Sequence, residues 1–419
     1  MRVALLFPGQ GAQYPGMGKN LYDSYPTVKH LFEEASDITH LDLRRICFES
    51  TVDNLKQTEK AQLAIFLVSF AQYTVLNSEF QFEPYLSAGH SLGEITALTC
   101  AGAIKFQDGI QIVHQRGRAM QEIAQEVDGG MVAVMGLDRT TVQNECESLF
   151  KEGFEIVIAN YNSDKQFVIA GVSSGLSILS RRLESQGGRT IFLKVNAPFH
   201  TQFMSAAAEK LGAFMKNLQF NAFNWPVISN VTGKPHITSW QAKEDIVRQI
   251  ISPVLWSQTM LYMKNKIDVF INVGPSPVLE NIARNNLELE PKQVISMDEP
   301  LSRTWLNQMW GKNRVKFIKY PRKIHLSLIS SCLAEAASTK NRNDNVSEYE
   351  QGVIRPYARL VELYEEIEKK DTEITISQVK EAISLLEIIL NTKKLPSSEK
   401  ESILNKIKNM ISLREKVTN

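Results

Sequence analysis

Val3 to Phe7 is an unbroken apolar run closed by Pro8-Gly9, the pattern of a strand buried on both faces that empties into a loop. Helical spacing of apolar positions follows over Thr27–Ser36 and Thr58–Leu76. Tyr85–Ala88 predicts a short strand that runs directly into the turn GHSLG, Gly89 to Gly93. Glu94–Ala103 and Phe106–Val127 then read as helices, with Ile104, Phe106, Ile110, Ile112 and Val113 as core positions.

The texture changes at Gly129-Gly130. Met131–Met135, Glu155–Ala159, Gln166–Ala170 and Thr190–Val195 read as strands, and Thr140–Lys151 and Ser174–Gln186 as helices between them. That order, βαββαβ in about 70 residues, is the ferredoxin-like arrangement. Buried-strand texture resumes at Trp225–Asn230 and Val269–Val273, and the core pattern closes near Gln293–Met297. Residues 301–334 then hold seven Lys or Arg and no acidic residue, with Trp305, Trp310, Phe317 and Tyr320 interleaved. Three helical patterns end the chain, at about 347–370, 376–392 and 397–416.

Composition narrows the class. Of 419 residues, 43% are hydrophobic and 22% charged, the balance of an ordinary globular protein. A formal net charge of +1 gives no bulk attraction to nucleic acid or to an anionic membrane. Cys47, Cys100, Cys146 and Cys332 are scattered without metal-ligand spacing, as expected for reduced thiols in a cytosolic protein. The N-terminus lacks a small-residue cleavage site, and no stretch approaches the ~18 consecutive apolar residues of a membrane span, so a cytoplasmic chain is expected.

The chemistry concentrates at the serine turn. In GxSxG a strained strand-to-helix turn holds the hydroxyl outward, and the following helix offers free N–H groups to an anion. Ser91 is the candidate nucleophile. Its base is sought among seven histidines. His90 is adjacent in sequence, and side chains of neighbouring turn residues diverge; His200 ends a strand pattern in Asn196-Ala-Pro-Phe-His, a common place for catalytic groups. His30, His40, His236 and His325 lie in polar segments and read as surface residues, and His114 as structural. Asn162, in Asn-Ser-Asp, reads as turn chemistry more than as a substrate contact.

GQGAQ (Gly9–Gln13), GHSLGE (Gly89–Glu94), QRGRAMQ (Gln115–Gln121), APFH (Ala197–His200), QIISPVLW (Gln249–Trp256) and VGPSPVL (Val273–Leu279) follow one another in order. Through them the chain closely resembles the malonyl-CoA:acyl carrier protein transacylases, including the discrete acyltransferases that serve polyketide synthases lacking their own. The resemblance covers residues 1 to about 298. It implies Ser91 as acylated nucleophile, His200 as general base and acid oriented by the Gln249 backbone carbonyl, and an oxyanion hole from the N–H groups of Gln10 and Leu92. Arg116 would hold the malonyl carboxylate by its planar fork, while Arg118 reads as ordinary surface charge. Phe199 and Leu92 would favour malonyl over methylmalonyl, although APFH departs from the HAFH of many malonyl-selective domains.

The fold expected is α/β: an α/β-hydrolase-like large domain (1–127 and 197–298), an inserted ferredoxin-like subdomain (128–196), and a basic linker with a mainly helical C-terminal extension (299–419). The resemblance implies a ping-pong transfer with no cofactor or metal, malonyl-CoA and acyl carrier protein domains as partners, polyketide synthase modules among them, and a monomer. Two rivals stay open: an acyl hydrolase of the same fold that clears carrier proteins, and a docking or scaffold protein acting through its extension. The basic opening of that extension reads either as a segment packed along the core or as a dock for acidic carrier proteins.

Overall fold

The computed structural model describes residues 1–80, 83–195, 197–290, 293–307, 310, 324–370 and 376–415. They form two compact units, residues 1–236 with 242–320, and residues 237–241 with 321–419.

The first unit is built on a five-stranded parallel sheet: β1 (Val3–Phe7), β2 (Leu86–Gly89), β7 (Val227–Ile228), β8 (Val269–Asn272) and β9 (Val294–Ser296), in the order β7-β2-β1-β8-β9. The solid apolar run of β1 has a simple cause. Val3, Leu5 and Phe7 join one hydrophobic core, and Ala4 and Leu6 join another, so both faces are covered. On the first face lie helices Thr58–Phe80, Leu92–Cys100 and Phe106–Glu126; on the other lie Trp256–Met263 and Val278–Leu287. Ile104, Phe106, Ile110, Ile112 and Val113 are all buried in the first core.

A second sheet is antiparallel: β3 (Gly129–Met135), β4 (Ile156–Ser163), β5 (Gln166–Val172) and β6 (Arg189–Phe192), in the order β4-β5-β3-β6. Helices Arg139–Lys151 and Ser173–Ser185 complete the βαββαβ pattern, and Val132, Val134, Leu149, Phe167, Ile169 and Leu179 form its core.

Three differences from the sequence reading are instructive. Trp225–Asn230 contributes only Val227 and Ile228 to the ladder, because the chain turns at Ser229-Asn230 to make side-chain bonds. Helix Thr58–Phe80 has the length and mean hydropathy, 1.2, to cross a membrane, although Gln62, Ser69 and Gln72 interrupt its apolar positions. Those polar residues and their apolar neighbours are buried inside the unit. The basic stretch after 301 starts within the first unit, where Leu306 and Trp310 join the main core and Trp310 meets the edge of Phe80 at 5.1 Å. Phe317, Tyr320 and the lysines between 312 and 323 lie outside the described residues.

The second unit is helical: Ile324–Ser338, Arg355–Lys370, Ile376–Thr392 and Ser397–Glu415 surround a core that includes Ile329, Cys332, Leu360, Leu386 and Ile407. Sequence reading missed Ile324–Ser338. The helix expected from 347 is interrupted by a π turn at Glu350–Ile354, where Gly352 backs directly onto Thr392. Cys47, Cys100, Cys146 and Cys332 are free and buried.

Candidate active site

β2 ends at Gly89, helix Leu92–Cys100 begins after two intervening residues, and Ser91 occupies the corner at φ 50°, ψ −109°. A non-glycine residue at positive φ costs energy, and such strain gathers at functional sites. Two glycines make the corner possible. A Cβ on Gly93 would lie 2.0 Å from the Phe7 carbonyl oxygen, and one on Gly9 would lie 2.4 Å from the His90 carbonyl oxygen. The loop that carries Gln10 therefore runs against the serine turn. The Ser91 N–H donates to Asn230 Oδ1 at 2.6 Å. Leu92, as first residue of its helix, has an N–H with no intrahelical acceptor. The Ser91 N–H is thus taken, while that of Leu92 suits an anion forming beside Ser91.

Around the hydroxyl the side chains converge. Ser91 Oγ lies 2.9 Å from His200 Nε2, and His200 Nδ1 lies 2.8 Å from the Gln249 backbone carbonyl. A carbonyl only accepts, so Nδ1 carries the proton and Nε2 is left to receive one from Ser91. His200 itself sits at φ 63°. Arg116 donates through Nη2 to Ser91 Oγ at 2.9 Å and to Gln249 Oε1 at 3.0 Å, and through Nη1 to Gln62 Oε1 at 2.7 Å. It is 1% exposed, and its Nε has no partner. No carboxylate forms an ion pair with it among the described residues, so a buried cation is held by neutral groups alone. An arriving anion would find the charge uncompensated and could displace the neutral acceptors on its Nη groups.

Burial sets the proton chemistry. It drives the His200 imidazole down to about 3, helped by the nearby Arg116 charge, while the Gln249 carbonyl opposes the shift. His200 is thus neutral and able to accept a proton. Burial also lowers the Arg116 guanidinium to about 10, with the Glu94 charge acting the other way.

The structure brings together Ser91, His200, Arg116 and Gln249, with Leu92 next to the nucleophile. Phe199 and Leu92 are buried, and the Thr201 hydroxyl donates to the Pro198 carbonyl at 2.6 Å, bracing the segment before His200. Arg118 is exposed. Half-buried His114 bonds Glu59 at 2.8 Å, away from Ser91.

Two readings are corrected. Asn162 lies inside β4, not in a turn, and its Oδ1 bonds His90 Nε2 at 2.9 Å; the turn itself falls at Asp164-Lys165. His236 is not a surface residue. It is 3% exposed, with Nε2 2.8 Å from Glu94 Oε1 and Nδ1 3.3 Å from Asp245 Oδ2. His325 has no described side chain. Sequence reasoning also passed over Gln62, Glu94, Asn230 and Asp245. Only Glu94 carried a signal, as the last letter of GHSLGE.

With this geometry in place, comparison with known proteins is informative. The acyl transferase domain family matches residues 4–310. A malonyl CoA-acyl carrier protein transacylase of Bacillus subtilis is 31% identical over 403 residues, 96% of this chain and 99% of that protein. One of Escherichia coli strain K12 is 35% identical over 285 residues, 68% of this chain and 92% of that protein. A solved malonyl transacylase in complex with a type II polyketide synthase acyl carrier protein superposes with a TM-score of 0.69 at 31% identity, covering 74% of this chain and all of that one. The serine corner, the histidine on a backbone carbonyl and the unpaired arginine thus sit in a chain that belongs to the malonyl CoA-acyl carrier protein transacylases of the acyl transferase family.

Proposed function

We propose that Ser91, His200 and Arg116 carry out malonyl transfer from coenzyme A to the phosphopantetheine thiol of an acyl carrier protein, in fatty-acid or polyketide synthesis. The observation that carries this reading is Arg116 donating to Ser91 Oγ itself while no carboxylate among the described residues pairs with it. A carboxylate placed on that fork brings a carbonyl two bonds away to the serine.

In the first half-reaction His200 Nε2 takes the Ser91 proton as Oγ attacks the thioester carbonyl. The N–H groups of Gln10 and Leu92 receive the oxyanion. Collapse breaks the carbon–sulfur bond, and the imidazolium returns its proton to the coenzyme A sulfur. In the second half the carrier thiol gives its proton to His200 and attacks the malonyl ester, and Ser91 recovers the proton as it leaves. The Gln249 carbonyl keeps Nδ1 protonated throughout. Every step is proton transfer or acyl exchange, so the sequence uses no metal or prosthetic group. Phe199 and Leu92 bound the space beside the malonyl α-carbon and disfavour a methyl branch there. The catalytic domain is assigned to 1–127 and 197–298 and the ferredoxin-like subdomain to 128–196; the extension expected from 299 is moved to 321–419, since Leu306 and Trp310 join the main core.

Brief incubation with malonyl-CoA and intact-mass measurement tests the reading. A single malonyl adduct on Ser91 is expected, absent in folded Ser91→Ala. An adduct that persists in that variant places the nucleophile elsewhere.

A further inference from the structure

Behind the serine corner lies a set of buried ionisable groups that the transfer steps do not use. Glu94 is fully buried one turn into the helix that Ser91 starts. Its Oε1 meets His236 Nε2 at 2.8 Å, and its Oε2 accepts from Gln249 Nε2 at 2.6 Å and from the Asn230 N–H at 3.1 Å. Asp245 approaches the other side of the His236 ring at 3.3 Å, off the line of a good hydrogen bond, and also accepts from the Ser229 hydroxyl at 2.8 Å. The Phe223 ring covers the imidazole face at 6.2 Å.

We propose that Glu94, His236 and Asp245 form a buried charge-compensating set that positions Gln249 and Asn230 and leaves the Arg116 cation available to the substrate carboxylate. The geometry connects each part. Gln249 supplies the carbonyl that orients His200, an acceptor for Arg116 and a donor to the Ser91 carbonyl at 3.0 Å. Asn230 holds the Ser91 N–H and donates to the Gly89 carbonyl at 2.7 Å, clamping both ends of the corner. Glu94 is the ionisable residue bonded to both, through Gln249 Nε2 and the Asn230 N–H. Carboxylates facing both ring nitrogens of a buried imidazole favour its charged form, which offsets part of their own cost of burial. The flanking carboxylates overcome burial and raise His236 to about 9. Were His236 neutral, Glu94 would weigh more heavily on Arg116, whose charge it already supports.

His236 is therefore a positioning residue for malonyl selection, and the inference rests on the role given above to Arg116. The test compares malonyl-CoA with acetyl-CoA for the full chain, His236→Gln and Arg116→Ala. In His236→Gln the KM for malonyl-CoA should rise by about tenfold, the scale of one charge-assisted bond, with kcat for acetyl transfer changed far less. Equal effects on both substrates, or none, in a folded His236→Gln protein overturn the proposal. A loss of malonyl preference in Arg116→Ala but not in His236→Gln defeats this inference alone. Retained preference in Arg116→Ala defeats the Arg116 reading. Should His236→Gln not fold, pH decides. The malonyl KM of the unaltered protein should climb as pH passes about 9, and Asp245→Asn should bring that climb to lower pH. A climb at the same pH in both proteins overturns the proposal.

Discussion

Arg116 is held by one amide on each side and by the nucleophile, with no acidic partner among the described residues. Removing it should slow malonyl transfer by roughly 10- to 150-fold, equivalent to the ~1.5–3 kcal/mol of a buried charge-assisted pair. Acetyl transfer should change far less, and Arg116→Lys should be intermediate because an ammonium lacks the fork. The check is kcat/KM for both thioesters; equal losses would make Arg116 a structural residue. His200→Ala should cost ~10²–10⁴-fold, the usual contribution of a general base, while His90→Ala, whose ring bonds Asn162 instead, should cost less. Because burial holds His200 near 3, its base form persists far below the ordinary histidine range. The rate of Ser91 acylation, followed by rapid-quench mass measurement, should therefore stay flat from pH 7 down to about 5; a fall centred near the usual ~6.5 would contradict the assigned environment. Ser91 and His200 were legible because their motifs pair a residue type with a local turn, whereas Arg116, inside the helix Phe106–Glu126, was legible only through the resemblance carried by QRGRAMQ. His236 was not, because Gly233-Lys-Pro-His reads as a polar bend, and its burial comes from Glu94, 142 residues earlier. No local pattern records a contact of that length.

At the level of elements, the serine corner depends on the close approach of β1, β2 and the helix from Leu92. Gly93→Ala would drive a methyl into the Phe7 carbonyl oxygen at 2.0 Å, backbone that cannot swing aside. A loss of more than about 3 kcal/mol is expected, read as a lower urea midpoint in equilibrium unfolding. A substitution tolerated within 1 kcal/mol would mean the corner is looser than described. The strands buried on both faces were readable as solid apolar runs, and the ferredoxin-like sheet as alternating strands and helices. The ends of elements were less so. β4 runs on to Ser163 because its ladder with β5 continues past two register shifts, to Tyr161 opposite Phe167 and Ser163 opposite Gln166, while Asn160 and the Tyr161 N–H also pair with Val254, a contact only the folded chain provides. The helix Ile324–Ser338 was hidden by the basic stretch before it, which drew attention to charge when the apolar spacing of Leu328, Ile329, Cys332 and Leu333 carried the signal.

On the scale of the whole molecule, the hydrophobic residues of the second unit form a core of their own, sharing no residue with the cores of the first. Two separate transitions are therefore expected in urea by circular dichroism, and a single transition seen by every probe would show that the cores unfold together. The match to the Bacillus subtilis relative over 403 residues means that the helical unit belongs to that protein's pattern too, while the Escherichia coli relative matches over 285. The central strand carries one more consequence. β1 is flanked by β2 and by β8, and Arg2 bonds Asp268 across 266 residues of chain. During synthesis the ribosome must release almost the whole first unit before β1 gains its second neighbour. Until then the apolar helix Thr58–Phe80 has no finished sheet to pack against. For tens of seconds, at ~5–20 residues per second, the nascent chain therefore carries a long apolar segment, mean hydropathy 1.2, whose burial awaits strands not yet made.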